Sequence, residues 1–175
     1  MPTPAPVVVP LGSPPAFVTL QAHMLAEERR FPGTSGQLSW IVSALAIAAK
    51  TIAAKLKNAG IEDVLGEFGT QNVQGERQQK LDVIANHLLI QLLGQRDGVA
   101  VLGSEENDEL LMVEADAGGG QRFAVLFDPL DGSANLDVGG NVGTIFSIYE
   151  VPAGAEHELQ PGRRQVAAGY VLYGS

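Results

Sequence analysis

The chain has 175 residues and a mass of 18.4 kDa, with 45% apolar and only 18% charged side chains, enough for one domain with a buried core or for part of a larger one. With 20 acidic against 11 basic residues the formal charge is −9, which argues against a nucleic-acid binder, because affinity for phosphate backbones rests on Lys and Arg releasing counterions. Cysteine is absent, which removes disulfides, thiolate chemistry and cysteine zinc sites together. His23, His87 and His157 are too dispersed in sequence for a histidine zinc site. No apolar run approaches the ~18 residues of a spanning helix, and the N-terminus lacks the basic region of a signal peptide. A cytoplasmic protein without a membrane partner is the expectation.

Residues Met1 to Pro15 are rich in Pro and carry no charge, so an unstructured leader is expected over 1–15, with one domain over 16–175. Phe17, Leu20, Met24 and Leu25 have helical spacing up to Arg30, where Pro32-Gly33 breaks the pattern. Thr34 and Gln37 then have capping-box spacing. Behind them Leu38, Ile41, Val42, Leu45, Ile52 and Leu56 mark one helix face, and Gly60 is placed to cap its end. The stretch from Gly66 to Gly75 reads as a loop. A second amphipathic helix is predicted from about Glu76 to Leu93, closed by Gly94. From Val99 the pattern changes to short apolar runs that predict strands: Val99 to Leu102, Glu109 to Val113, Phe123 to Phe127, Thr144 to Val151 and Gln165 to Leu172. Helices followed by strands point to an α/β fold of the layered α+β sandwich kind, with helices packed on a sheet.

The segment that carries most chemistry is Phe127-Asp128-Pro129-Leu130-Asp131-Gly132-Ser133. An apolar strand delivers one carboxylate and a second follows three residues later. Pro129 fixes φ and stiffens the turn expected between them. Gly132 permits close approach of backbone to a ligand, and Ser133 offers a hydroxyl and an amide. Rigid carboxylates followed by free amides suit a cation bound to a phosphate. Asp-Pro and Asp-Gly are also common turn formers, so the segment alone leaves both readings open. Ser104-Glu105-Glu106 lies just past a second strand, and α/β sheets place ligand sites at such C-terminal strand ends. Asp82 sits at the edge of an apolar helix stripe, where a charge is costly unless paired or metal-linked. Glu76, at the predicted start of that helix, fits an interaction with the helix dipole equally well. His87 and Trp40 are expected to serve packing.

Asp128-Pro129-Leu130-Asp131-Gly132-Ser133 resembles the metal signature of the lithium-sensitive phosphatases, and the chain as a whole resembles the class 1 fructose-1,6-bisphosphatases. The blocks Gly36-Gln37-Leu38, Asn72-Val73-Gln74-Gly75-Glu76, Lys80-Leu81-Asp82, Ser104-Glu105-Glu106, Gly143-Thr144-Ile145-Phe146, Leu159-Gln160-Pro161-Gly162 and Ala167-Ala168-Gly169-Tyr170-Val171-Leu172-Tyr173-Gly174 occur in that family's order. The resemblance spans about residues 17 to 175. It implies the N-terminal half of the sugar phosphatase fold: helices on a mixed sheet, an AMP-type allosteric domain carrying the metal motifs and lacking the substrate-binding domain. It implies Mg²⁺ (two or more ions, with Mn²⁺ as a substitute) held by Glu105, Asp128, Asp131 and the carbonyl of Leu130. Asp131, Gly132, Ser133 and position 134 would meet the reacting phosphate. Glu106 and Asp82 would polarise the attacking water, with Glu76 on the mobile loop near the metals. The reaction implied is hydrolysis of the 1-phosphate of fructose 1,6-bisphosphate, in a homo-oligomer that is tetrameric in the family.

Magnitudes agree with a metal mechanism. Phosphate-monoester hydrolysis needs acceleration up to ~10²¹-fold, whereas positioned acid–base groups give about 10²–10⁴. Divalent ions can supply the larger part. The chain departs from the family pattern at several places. Ala134 stands where a second Ser is usual, and Gly139-Gly140-Asn141 replaces a more apolar stretch. Gly36, Gln37, Leu38 and Ser39 could cradle a phosphate at a helix start. Arg122-Phe123 replaces a Lys-Tyr pair, and Glu150 replaces a phosphate-contacting Arg, so weak or absent AMP inhibition is expected. Two alternatives remain at this stage: a sedoheptulose-1,7-bisphosphatase or dual-substrate enzyme, and a non-catalytic metal- or nucleotide-binding regulatory module.

Overall fold

The computed structural model describes residues 17–30, 36–59, 67–71, 77–114, 120–138, 140–152 and 160–174. The predicted leader therefore lies outside the described residues. The chain divides into two units, Met1–Gly33 and Thr34–Ser175. In the first, helix α1 runs over Leu20–Arg30. It starts later than the periodicity from Phe17 suggested, because the Thr19 hydroxyl accepts the Ala22 amide at 3.1 Å and caps it there. Arg29 and Arg30 occupy its last turn, where cations complement the helix dipole.

In the second unit, helix α2 covers Gln37–Lys57. Its buried side is Ile41, Ala44, Leu45, Ala48 and Ile52, close to the face read from the 3.6-residue period. The ends differ from expectation. Gly36 stands at the N-cap with φ 72° and no side-chain cap, and Asn58 ends the helix; Thr34 and Gly60 lie outside the described residues. By length and composition α2, with a mean hydropathy of 1.4, is the one described helix apolar enough to cross a membrane, a point the run-length reading missed because Lys50 interrupts the pattern. It packs against helix α3, Lys80–Gly94. Trp40, expected to pack, is 65% exposed, and His87 is exposed too, since both lie off the buried stripes.

The loop expected from Gly66 to Gly75 contains strand β1, Glu67–Gln71, paired antiparallel with β2, Arg77–Gln79. The second helix therefore begins at Lys80 and not at Glu76. Glu76 lies outside the described residues, and a role for it at that helix N-terminus is not supported.

A mixed five-stranded sheet follows, in the order β4-β3-β5-β6-β7. Its strands are β3 Val99–Ser104, β4 Leu111–Met112, β5 Phe123–Asp131, β6 Val142–Glu150 and β7 Gln165–Tyr173. Each was expected within a few residues except β5, which continues through the Asp-Pro-Leu-Asp segment where a turn was predicted. β3 and β5 are parallel and every other pairing is antiparallel. Helices α2 and α3 lie on one face, where Leu81, Leu89, Leu93, Val125, Phe127 and Ile148 form the core with Ile41 and Ile52. Burying six or more aliphatic side chains at about 1.5–3 kcal/mol each is the main force holding helices to sheet. The opposite face is open, and Ile145, Tyr170 and Leu172 are 42%, 49% and 58% exposed along it.

Candidate active site

The site begins with strand register. In the parallel ladder Ser104 lies opposite Phe127, so the next residues outward, Glu105 and Asp128, emerge side by side. The Glu105 amide donates to the Phe127 carbonyl at 3.0 Å and extends the ladder by one bond. The Glu106 amide donates to the Ser104 hydroxyl at 3.2 Å, which turns the chain away after β3.

Within β5 the pairing with β6 shifts: Asp128 lies opposite Ile145 and Asp131 opposite Gly143. Three steps on β5 match two on β6, which is a β-bulge. Successive strand residues face opposite sides, so residues three apart would diverge in a regular strand. The extra residue brings Asp128 and Asp131 back to one face. Pro129 suits this place because the bulge leaves an amide without a ladder partner. Its carbonyl accepts from the Thr144 hydroxyl at 2.8 Å, and that hydroxyl also meets Tyr173 Oη at 2.7 Å. The Leu130 amide donates to Asp128 Oδ1 at 3.0 Å and fixes the carboxylate.

Gly132 has φ 80°, a conformation that L side chains rarely adopt, and a Cβ there would meet the Asn141 carbonyl oxygen at 3.0 Å. It turns the chain into a short 3₁₀ helix, Ser133–Val138. The Ser133 hydroxyl donates to Asp82 Oδ2 at 3.0 Å, joining residues 51 apart in sequence. Asp82 is 2% exposed in the first turn of α3. The helix dipole and the serine together make a buried carboxylate tolerable there.

Burial, then the neighbouring Glu105 carboxylate, push the Asp128 carboxyl up from 3.8 to about 7 against the opposing Leu130 amide, with the Asp131 charge adding to the rise. Such crowding of negative charge fits a hard divalent cation, which takes carboxylate oxygens and relieves their repulsion. Among the described residues no three carboxylate or imidazole side chains are gathered tightly enough to enclose an ion by themselves. The expected ligands are arranged as the Glu105–Asp128 pair with Asp131 beside it, and the Tyr170 hydroxyl donates to Asp131 Oδ2 at 3.5 Å. Burial and the Asp131 and Asp128 charges hold the Tyr170 phenol above its usual range, so it remains a donor. A groove of about 930 Å³ runs from Glu105 and Asp128 along the open sheet face to Tyr170, floored by the small residues Gly103, Ser147 and Ala168.

A family model described as "Fructose-1-6-bisphosphatase, N-terminal domain" matches residues 18–175. The chain belongs to the fructose-1,6-bisphosphatase family. It is 45% identical over 165 residues to the class 1 fructose-1,6-bisphosphatase of Chlorobium phaeovibrioides, covering 91% of this chain and 49% of that protein. With the Salinibacter ruber class 1 enzyme it shares 44% over 172 residues, 95% of this chain and 48% of the other. The chain thus spans about half the length of the curated relatives it matches. The holo crystal structure of Leishmania major fructose-1,6-bisphosphatase superposes with a TM-score of 0.77 at 30% identity, over 90% of this chain and 49% of that one. The apo form gives 0.69 at 27% identity, over 90% and 47%.

Of the residues singled out in the sequence, Glu105, Asp128 and Asp131 come together, and Asp82 joins them through Ser133. Ala134 is exposed beyond Ser133. Gly36, Gln37, Leu38 and Ser39 lie elsewhere, at the start of α2, where Gln37 and Trp40 line a cavity of about 450 Å³ with Arg96 and Asp97. Near it Glu150 Oε1 accepts from Gln121 at 3.1 Å, and the Arg122 guanidinium donates to the Val113 carbonyl at 3.1 Å. Sequence reasoning missed Thr144, Asn86 and Asn107. Asn86 is buried on α3 and donates to Asn107 Oδ1 at 2.8 Å, which ties the turn after Glu106 to the helix. Thr144 had a signal in the block Gly143-Thr144-Ile145-Phe146, which assigns it no role, and Asn86 and Asn107 sat in runs that read as packing or loop.

Proposed function

We propose that this chain carries the metal-binding half of a fructose-1,6-bisphosphatase that removes the 1-phosphate of fructose 1,6-bisphosphate. The observation that carries the reading is the Glu105–Asp128 pair, where burial and then the neighbouring carboxylate push the Asp128 carboxyl to about 7, in a chain whose relatives bear that enzyme's name. Magnesium, or manganese in its place, would be held by Glu105, Asp128, Asp131 and the Leu130 carbonyl. When bound, it supplies Lewis acidity and charge neutralisation at the phosphoryl oxygens.

The remaining work falls to the chain. Asp131, Gly132, Ser133 and Ala134 would orient the phosphoryl group, for which their backbone amides are the available donors. The Ser133 hydroxyl is given to Asp82, so it contributes position more than contact. Glu106 and Asp82 would polarise the attacking water. The sugar and second phosphate would meet residues beyond this half, so 16–175 acts as the N-terminal, AMP-type domain. The assembly is a cytoplasmic homo-oligomer, a tetramer as the family resemblance implies.

The test is phosphate release from fructose 1,6-bisphosphate with Mg²⁺ by the complete protein, compared with its Asp128→Asn variant. Losing a ligand removes several kcal/mol of transition-state charge stabilisation, so turnover should fall by about 10²-fold or more. Near-normal turnover would refute the assignment.

A further inference from the structure

On the open face of the sheet, Asp128, Ile145 and Tyr170 form one cross-strand row, and Asp131, Gly143 and Leu172 form the next. Tyr170 is on β7 and Asp131 on β5, two strand spacings or ~9.6 Å apart. A tyrosine crosses that gap only by lying flat on the strand between. The ring does so over Gly143: a Cβ at that position would collide with Tyr170 Cζ and Oη. Its hydroxyl then reaches Asp131 Oδ2, 3.5 Å away. An exposed tyrosine on an edge strand would otherwise be free to turn into solvent. The hydroxyl contact at 131 fixes its direction, and the missing side chain at 143 leaves room for the ring, although the Val171 carbonyl excludes a Cβ there as well.

We infer that Tyr170 is a positioning residue for the cation site, its phenol laid across Gly143 to hold the Asp131 carboxylate on the side of Asp128 and Glu105. The inference rests on the proposed role of those three carboxylates as cation ligands. Residues that orient ligating carboxylates from outside typically account for 10–100-fold in metal affinity. The alternative is that the ring only covers a glycine on the neighbouring strand, as aromatics often do.

Tyr170→Phe separates the two, because it keeps the ring and removes the hydroxyl. Mn²⁺ binding to the complete protein, read by the electron paramagnetic resonance of the free ion, should weaken by about tenfold with an unchanged melting temperature. In an Asp131→Asn background Tyr170→Phe should have no further effect. Wild-type affinity in Tyr170→Phe, or an undiminished effect in the Asp131→Asn background, overturns the inference alone. Indistinguishable Mn²⁺ binding by wild type and Asp128→Asn overturns the cation site itself, and this inference with it.

Discussion

The two faces of the five-stranded sheet use the same strands for different purposes. Toward α2 and α3, β5 and β6 present Val125, Phe127 and Ile148, all buried. Toward the open side the same strands present Leu126, Asp128, Ile145 and Ser147, which line a groove. Strand alternation alone produces this division, since neighbours point to opposite faces. The bulge at Pro129-Leu130 is where the division is altered: it gives two consecutive buried positions and returns the next carboxylate to the open face. The helix-covered face is a packing problem and the open face a charge problem, and perturbations should separate them.

The largest contrast comes from truncating one side chain on each. Leu89, 1% exposed against the helix-covered face, should cost about 2–5 kcal/mol when changed to Ala. Ile145→Ser on the open face should stay within about 0.5 kcal/mol. Urea unfolding monitored by circular dichroism measures both, and equal losses would show that the open face is also core.

Thr144 is an intermediate case, because it lies on the buried face but serves the bulge. Thr144→Val retains shape and leaves the buried Pro129 carbonyl without its donor, at a cost of about 1–3 kcal/mol. The urea midpoint should shift accordingly with an unchanged slope. No shift would mean that the bulge holds without that hydroxyl.

The last effect is electrostatic, partly screened by solvent and present only over part of the pH range. Asp128 is only partly buried and its carboxyl is raised from 3.8 to about 7, so the folded chain binds this proton more tightly than the unfolded chain. Its contribution is full below about pH 4 and is lost as pH rises toward about 7. With chelator present, the difference in urea midpoint between wild type and Asp128→Asn should move against the wild type across that window. A flat difference would show that Asp128 titrates as it does in the unfolded chain.

Much of this architecture was legible because it is periodic. The apolar face of α2 follows from repeats near 3.6 residues, and the strands after Val99 follow from short apolar runs between turn residues. The β1–β2 pair was not legible: Glu67-Phe68-Gly69-Thr70-Gln71 and Arg77-Gln78-Gln79 have no alternation to read, and pairing with each other decides their form. The continuation of β5 through Asp-Pro-Leu-Asp was misread for a related reason. Those residues favour turns locally, but β6 supplies a partner strand and Thr144 satisfies the carbonyl that the bulge frees. The α2 cap was likewise assigned to Thr34, two residues before the glycine that occupies the N-cap.

For the site, the sequence by itself singled out the carboxylates Asp82, Glu105, Asp128 and Asp131 as candidates, although it read Asp128 as ending a strand that in fact continues to Asp131. It also determined family membership, because the ordered motifs are a property of the string. Tertiary structure decided which of those groups meet: Glu105 beside Asp128 through parallel register, Asp82 against Ser133 through the seating of α3, and Tyr170 above Gly143 through antiparallel register. These contacts join residues on different elements. Register and helix seating are set by side chains packing across the whole sheet, a sum over distant neighbours that no local pattern encodes.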